Sequence, residues 1–261
     1  MKEISVWKKQ ILYLYLAAEA VLFVLILAGE ARLPYAVYSK FMYAAILLNL
    51  LMALGAFAAA GRRGMTDPGG KRARDAFWPE LILPGLAFTA AADLFLVLLD
   101  RSWVTGVILF CVVQTIYALS LLRTWKNWLI RVIVVIVLLA AFGKVGILDV
   151  NYGFSAYNIG MLCTNVVTAF YCYLKKPPYG QNELGKNEKT GDTKADMRAG
   201  LLLFATGLLL FAGCDTTLGI RNLTYGMDAF HTLYQICFWL VWICYMPSQV
   251  LITLAYRRRI W

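Results

Sequence analysis

Apolar residues are collected along the chain into eight long runs, and short polar segments separate each run from the next. An α-helix needs about 20 predominantly apolar residues to cross the hydrocarbon core of a bilayer. The pattern therefore predicts an all-α protein, a polytopic membrane helix bundle of about eight transmembrane helices, with residues 1–261 forming a single transmembrane domain. The predicted helices cover residues 11–28, 35–60, 81–99, 103–122, 129–148, 154–174, 199–218 and 230–256.

Lys and Arg are concentrated in every second polar segment, whereas the segments between them are short and carry few positive charges. Cytoplasmic segments of membrane proteins carry the excess of Lys and Arg, so the pattern predicts that both termini are cytoplasmic. The basic leader lacks a small-residue cleavage site, and the run after it is interpreted as a helix rather than a removed signal peptide. The basic segments are residues 1–9, 61–80, 123–131, the long hydrophilic loop 175–198 and the tail 257–259.

Composition excludes a soluble domain, because 61% of the residues are hydrophobic, only 15% are charged and the mean hydropathy is +0.66. Too few polar side chains are available to cover a water-exposed surface. The net charge of +10 is explained by the topology of the cytoplasmic segments, so no nucleic-acid partner is expected. We expect an integral multi-pass membrane protein, in the plasma membrane if the source is bacterial.

The cysteine and histidine content does not indicate a metal site. The chain has six cysteines, all inside apolar runs and none in a C-x-x-C pattern, and they are interpreted as small buried packing residues. A catalytic zinc site gathers several His or carboxylate ligands, and His231 is the only histidine. One histidine does not suffice for such a zinc site, and we expect neither a metal nor an organic cofactor.

Two aspartates stand inside apolar runs, where an ionisable side chain is costly and is a functional-site hypothesis by default. Asp93 lies in the run 81–99 and Asp215 in the run 199–218. At about 1.5 Å per residue, Asp93 lies roughly 10 Å and Asp215 roughly 9 Å below the same membrane face. Small residues precede both, which allows close helix approach. The sequence predicts that the two carboxyl groups face each other across the bundle as candidate catalytic residues.

Other polar residues are placed where they can line the same cavity. On one helix face Gln114 and Tyr117 are an i,i+3 pair, and Tyr245 and Gln249 are an i,i+4 pair, so each pair points in one direction. Lys40 enters the second predicted helix from the outer end. These five residues are the candidate substrate-binding residues.

Structural interpretations of the same residues remain open at this point. Each aspartate can instead hold helices together through a hydrogen bond to a Tyr, Gln or Lys, and Glu19 in the first predicted helix can pair with Lys40. The single amides Asn49, Asn158 and Asn165 are interpreted as interhelical hydrogen-bonding residues.

Three stretches together resemble the YhhN-type lysoplasmalogenase family of integral membrane proteins. They are AADLFLVLLDRSWVTGVILFCVVQTIYALSLLR, LLLFATGLLLFAGCDTTLGI and WICYMPSQVLI, and they contain both aspartates, Gln114, Tyr117, Tyr245 and Gln249. Lys40 stands where the family has Lys-Pro, although Phe41 replaces the proline. Gln114 stands where a histidine is common, and Ala92 and Cys214 precede the aspartates where Gly and Ser are typical. The resemblance covers the chain from about Lys40 to its end.

The resemblance implies hydrolysis of the vinyl ether bond of lysoplasmalogens to a fatty aldehyde and a glycerophospho-base. One aspartate would then act as the acid, and the other would activate water and stabilise the cationic intermediate. Lys40 would bind the lipid phosphate or tune a carboxyl group, and the tyrosines and glutamines would position water and the glycerol oxygens. The expected partners are a lysophospholipid substrate and the surrounding membrane lipid.

The main alternative is a proton-coupled carrier of small molecules or lipids, because intramembrane carboxyl groups also serve as proton relays. Against it, the chain has no obvious Gly- or Pro-broken helices at matching positions in two halves. A sensory or scaffolding membrane protein is a further alternative. The residues by themselves leave the oligomeric state and the roles of the two aspartates open.

Overall fold

The computed structural model describes residues 2–30, 32–61, 78–121, 124–146, 150–175, 189–224 and 226–260. Within these ranges the chain is helical and contains no strand, which confirms the predicted all-α class. The eight α-helices are α1 Lys2–Glu30, α2 Tyr35–Gly61, α3 Ile82–Asp93, α4 Trp103–Ser120, α5 Trp125–Val145, α6 Val150–Leu174, α7 Lys189–Thr224 and α8 His231–Ile260.

Each predicted run corresponds to one of these helices, and the main difference is the start of α7. This helix begins at Lys189 and not near residue 199, so the second part of the predicted loop 175–198 is helical. The first part of that loop, residues 176–188, and residues 62–77 of the predicted basic segment 61–80 lie outside the described residues. Helix α7 is longer than its apolar run because polar residues can extend a helix beyond the membrane.

Seven of the eight described helices are long and apolar enough to cross a membrane, and α6 is the exception. Helix α6 is long enough with 25 residues, but Asn158, Thr164, Asn165 and Thr168 lower the hydropathy of its central part. Three neighbours, α4, α5 and α7, pack against α6. Their contacts replace lipid around much of α6, so a long helix with these polar residues is tolerated within a multi-pass bundle.

Six helices form a closed ring in the order α2, α3, α4, α6, α7, α8, with α8 packing against α2. Helix α1 packs on the outside of the ring against α2 and α8, and α5 packs outside against α6. Accordingly only 17% of the α1 span and 6% of the α5 span are buried. The ring interior is therefore the place where buried polar side chains from six different helices can meet.

The connection between α3 and α4 is irregular, and its hydrogen bonds stabilise the end of α3. A π-helical turn, Leu94–Leu98, follows directly after Asp93, and the Leu99 amide donates to the Leu94 carbonyl at 2.9 Å. The Tyr35 hydroxyl on α2 donates to the Val97 carbonyl at 3.1 Å. Asp100 and Ser102 then adopt left-handed backbone conformations, with φ of 46° and 55°. Such π turns occur frequently at functional sites.

Helices α7 and α8 approach closely at Gly207, and this contact yields a stability prediction. A Cβ at Gly207 would lie 2.8 Å from Ile252 Cγ1 and 3.0 Å from the Ser248 carbonyl oxygen, so Gly207→Leu must push the helices apart. We expect a loss of about 1–3 kcal/mol in the free energy of unfolding, measured by thermal or denaturant unfolding in detergent. Gly219→Leu on the same helix is the matched control, because a Cβ there has open space. Equal stability of the two variants would contradict the prediction.

Candidate active site

Asp93 lies at the last position of α3, immediately before the π turn, and only 3% of its surface is exposed. Its Oδ2 atom accepts a hydrogen bond from the hydroxyl of Tyr245 on α8. Tyr245 precedes Pro247, whose missing N–H leaves the Ile243 carbonyl without its regular helical partner. Asp93 is thus adjacent to the π turn, and Tyr245 lies close to the proline that interrupts the hydrogen bonding of α8.

Asp215 lies on α7 and is half-buried. Its Oδ2 atom accepts a hydrogen bond of 2.9 Å from the side-chain amide of Asn158 on α6. The Tyr245 ring also packs against Phe211, which lies one turn before Asp215 on α7, at 5.7 Å between centroids. Asp93 and Asp215 are thus connected through one side chain of α8, although they are 122 positions apart in the numbering. Each carboxyl group has one hydrogen-bond donor from a neighbouring helix of the ring.

Aromatic and thiol side chains surround the two carboxyl groups. Tyr117, Cys214 and Tyr245 belong to one buried core cluster. The Tyr245 ring packs edge-to-face against Phe211 at 5.7 Å and against Trp242 at 5.8 Å between ring centroids. Within the part of the chain that the structure describes, no group of three or more His, Cys, Asp or Glu is placed to hold a metal ion.

Gln114 and Tyr117 are both fully buried on α4. Tyr117 packs edge-to-face on Phe204 at 5.4 Å, and its ring fills the space that a Cβ at Gly85 would need. Gln114 Oε1 accepts a bond of 3.0 Å from Asn165, whereas its Nε2 atom has no hydrogen-bond partner among the described residues. The predicted substrate-binding pair on α4 thus has two buried donors without a hydrogen-bond partner among the described residues, Gln114 Nε2 and the Tyr117 hydroxyl.

Gln249 and Lys40 have different environments. Gln249 is buried one turn after Tyr245 on α8; its Nε2 atom donates to the Ser248 hydroxyl at 3.3 Å, and its Oε1 atom lacks a partner within the described ranges. The Lys40 side chain is exposed on α2, one turn before Tyr43. Lys40 is therefore not enclosed with the two carboxyl groups, and a role in substrate binding stays a prediction.

Glu19 belongs to a separate polar cluster and not to a pair with Lys40. Its Oε1 atom accepts a bond of 2.7 Å from Asn49 on α2, and Asn49 Oδ1 accepts bonds from Tyr15 at 2.6 Å and Thr253 at 3.0 Å. This cluster joins α1 to α2 and α8. The carboxyl group of Glu19 is therefore hydrogen-bonded in a cluster that is separate from Asp93 and Asp215.

The sequence does not predict the buried guanidinium group of Arg131. Only 1% of Arg131 on α5 is exposed, and it donates to the side chains of Asn165, Thr164 at 3.2 Å and Thr168 at 3.4 Å, all on α6. It lies over the Trp128 ring at 5.7 Å. Asn165 continues this contact to Gln114, so one chain of hydrogen bonds joins α5, α6 and α4.

In a comparison with known protein families, the model described as the YhhN family matches residues 48–256. This range contains α3 to α7, the second half of α2 and most of α8, together with both aspartates and the residues that bind them. The chain belongs to the YhhN family. Comparisons with curated proteins and with solved structures give no significant match.

The YhhN match begins after Lys40 and α1, so neither the predicted role of Lys40 nor the Glu19 side chain is covered by it. Asn158 and Asn165 lie within the match, and from the sequence both are interpreted as residues that form hydrogen bonds between helices. Their spacing of seven residues predicts that both side chains lie on one face of the same helix. What the sequence did not indicate is that this face of α6 points at Asp215 and at Arg131.

Proposed function

We propose that this YhhN family protein is a membrane-embedded lysoplasmalogenase that cleaves the vinyl ether bond of an alkenyl lysophospholipid. The observation that carries the proposal is a pair of intramembrane aspartates, Asp93 and Asp215, each of which accepts a hydrogen bond from another helix of the ring. Membership of the YhhN family supports a hydrolase of this class. The products would be a fatty aldehyde and a glycerophospho-base.

Vinyl ether hydrolysis needs a proton donor and a water-activating base, and no further chemical group. A proton is added to the alkene carbon that is not bound to oxygen, and the positive charge then resides on the neighbouring carbon and the ether oxygen. Water attacks that carbon and loses a proton, which yields a hemiacetal. The hemiacetal divides into aldehyde and alcohol as a proton moves from its hydroxyl group to the glycerol oxygen. Two nearby carboxyl groups of which one is protonated can supply both functions.

We assign the proton-donating role to Asp93 and the water-activating role to Asp215. Asp93 is enclosed, with 3% exposure, so water has little access to it, whereas Asp215 is half-buried. Tyr245 and Asn158 orient the carboxyl groups, since each donates one hydrogen bond and leaves the other oxygen free to face the substrate. The ionised carboxylate also stabilises the cationic intermediate electrostatically.

The remaining predicted residues fit binding roles in the same proposal. The Gln114 Nε2 and Gln249 Oε1 atoms are a buried donor and a buried acceptor without protein partners among the described residues, suited to water or glycerol oxygens. Tyr117 lies in the same buried core cluster as Tyr245, and its ring packs on Phe204. Lys40, which is exposed one turn from Tyr43, would meet the lipid phosphate at the edge of the site.

The test is aldehyde release by the purified protein from an alkenyl lysophosphatidylcholine and an alkenyl lysophosphatidylethanolamine. In D₂O, protonation at carbon predicts one deuterium beside the aldehyde carbon at early times, detected by mass spectrometry. The saturated 1-O-alkyl analogue has no alkene carbon to protonate and should yield no product. If aldehyde is absent with both head groups, the proposal is wrong, and the carboxyl pair should then be tested for proton-linked transport in liposomes.

A further inference from the structure

An apolar groove of about 620 Å³ lies between α4, α5 and α6, outside the ring of six helices. Its walls are formed by aliphatic and aromatic side chains from all three helices. The residues that line it are Ile108, Cys111, Val112, Thr115, Ile116, Val135, Leu139, Gly153, Phe154 and Tyr157. Its volume lies within the range of about 300–1,000 Å³ that is typical of small-molecule sites.

The groove is adjacent to the candidate site through α6. Tyr157 lines the groove, and the next residue, Asn158, donates to Asp215 on α7. The groove and Asp215 therefore lie at a similar height along α6. Between them α4 and α6 are joined by a Thr115–Tyr157 hydroxyl contact of 2.8 Å and by a bond of 3.4 Å from Cys111 Sγ to the Phe154 carbonyl. The hydroxyl groups of Thr115 and Tyr157 are thus polar groups in an otherwise apolar lining.

We propose that this groove binds the hydrocarbon chain of the lipid substrate and sets the preferred chain length. The inference rests on the proposed function for the identity of the substrate as an alkenyl lysophospholipid. The groove faces the bilayer beside α5, of whose span only 6% is buried, so lipid chains are the molecules that reach it. When the hydrocarbon chain of the lipid lies in the groove, the polar end of the lipid lies at the α4–α6 contact, next to Asn158 and Asp215.

A second groove provides a matched control. It has a volume of about 630 Å³, lies between α1 and α2, and is equally apolar. Gly55 lines this second groove and Gly153 lines the first, and a Cβ at either glycine meets nothing within 4 Å. Both glycines are helical, so replacement by leucine favours the helix and fills the groove without a clash.

The test compares Gly153→Leu with Gly55→Leu. We expect Gly153→Leu to lower kcat/KM for long-chain alkenyl substrates about tenfold and to spare short-chain ones, because lost apolar contacts in a pocket change selectivity by that order. Gly55→Leu should keep the parental chain-length profile. An unchanged profile in Gly153→Leu, or the same shift in both variants, would overturn the assignment while aldehyde release by the parent leaves the proposed function intact.

A binding readout keeps the inference testable if the parent releases no aldehyde. A non-cleavable 1-O-alkyl lysophosphatidylcholine with a diazirine at the end of its chain is photolysed with the protein in nanodiscs. We expect labelled peptides from α4 and α6 in the parent and in Gly55→Leu, and a loss of that label in Gly153→Leu. Labelling mainly of α1 and α2, or label that excess diacyl phospholipid removes as readily as excess unlabelled 1-O-alkyl lysolipid, overturns the proposal.

Discussion

Replacing either aspartate by asparagine should abolish aldehyde release, with kcat/KM falling by about 10²–10⁴-fold for Asp93→Asn and for Asp215→Asn. Asparagine has nearly the same shape as aspartate but can neither donate the proton nor accept one from water. Asp93→Asn can retain a hydrogen bond to Tyr245, and Asp215→Asn can retain one to Asn158, so the fold should persist. Aldehyde release by each purified variant is the measurement, with monodispersity in detergent as the check on folding.

Two further carboxyl groups provide matched controls for this result. Asp100→Asn makes the same chemical change on an exposed residue with a left-handed backbone, which asparagine tolerates. Glu19→Gln removes the buried carboxyl group that binds Asn49 outside the candidate site. Both variants should retain activity within a few-fold of the parent. Parental activity in Asp93→Asn or Asp215→Asn would eliminate the carboxyl-pair mechanism.

The largest stability effect should come from Asn165, the residue that connects Arg131 to Gln114. We expect Asn165→Leu to lower the free energy of unfolding by about 3 kcal/mol, because it leaves a buried guanidinium without its central partner. Arg131→Met should cost about 1 kcal/mol or less, since it removes the charge and fills the same space with an apolar side chain. Chemical unfolding in detergent micelles or bicelles, followed by circular dichroism, measures both.

A double-mutant cycle separates this explanation from simple loss of packing. In the Arg131→Met background Asn165→Leu should cost much less than in the parent, because no guanidinium remains to be left unpaired. Thr164→Val provides a milder comparison, since it removes only the 3.2 Å bond to Arg131. Equal costs of Asn165→Leu in both backgrounds would show that the Arg131 contact does not determine the loss.

The position of the carboxyl pair could be predicted because it depends on local properties of two helices. Asp93 and Asp215 each interrupt an apolar run, and counting residues from the helix ends places them at similar depth. Their common depth stays a prediction, and in the structure each accepts a hydrogen bond from a neighbouring helix of the ring. The donors that bind them were predicted only in part: Tyr245 was a candidate and Asn158 was not, because an amide in a membrane helix more often joins helices than positions a catalyst.

Arg131 shows why some features could not be predicted from the chain. In the sequence it lies at the end of the basic segment 123–131, which favours an exposed cytoplasmic residue. Helix α5 instead begins at Trp125, so Arg131 lies nearly two turns inside the helix and on the face that packs against α6. Helix rotation decides between exposure and burial here, and rotation is set by contacts with residues far away in the chain.

The sequence by itself determined the all-α membrane class, the number of helices and the position of both aspartates inside apolar runs, because hydropathy depends only on residues within one segment. The tertiary structure decided the closed ring that leaves α1 and α5 outside, the π turn after Asp93 and the hydrogen-bond partners of Asp215, Glu19 and Arg131. These features depend on the order and rotation of packed helices. Lipid tails are as apolar as the helix surfaces, so packing and interhelical hydrogen bonds rather than hydropathy select that arrangement.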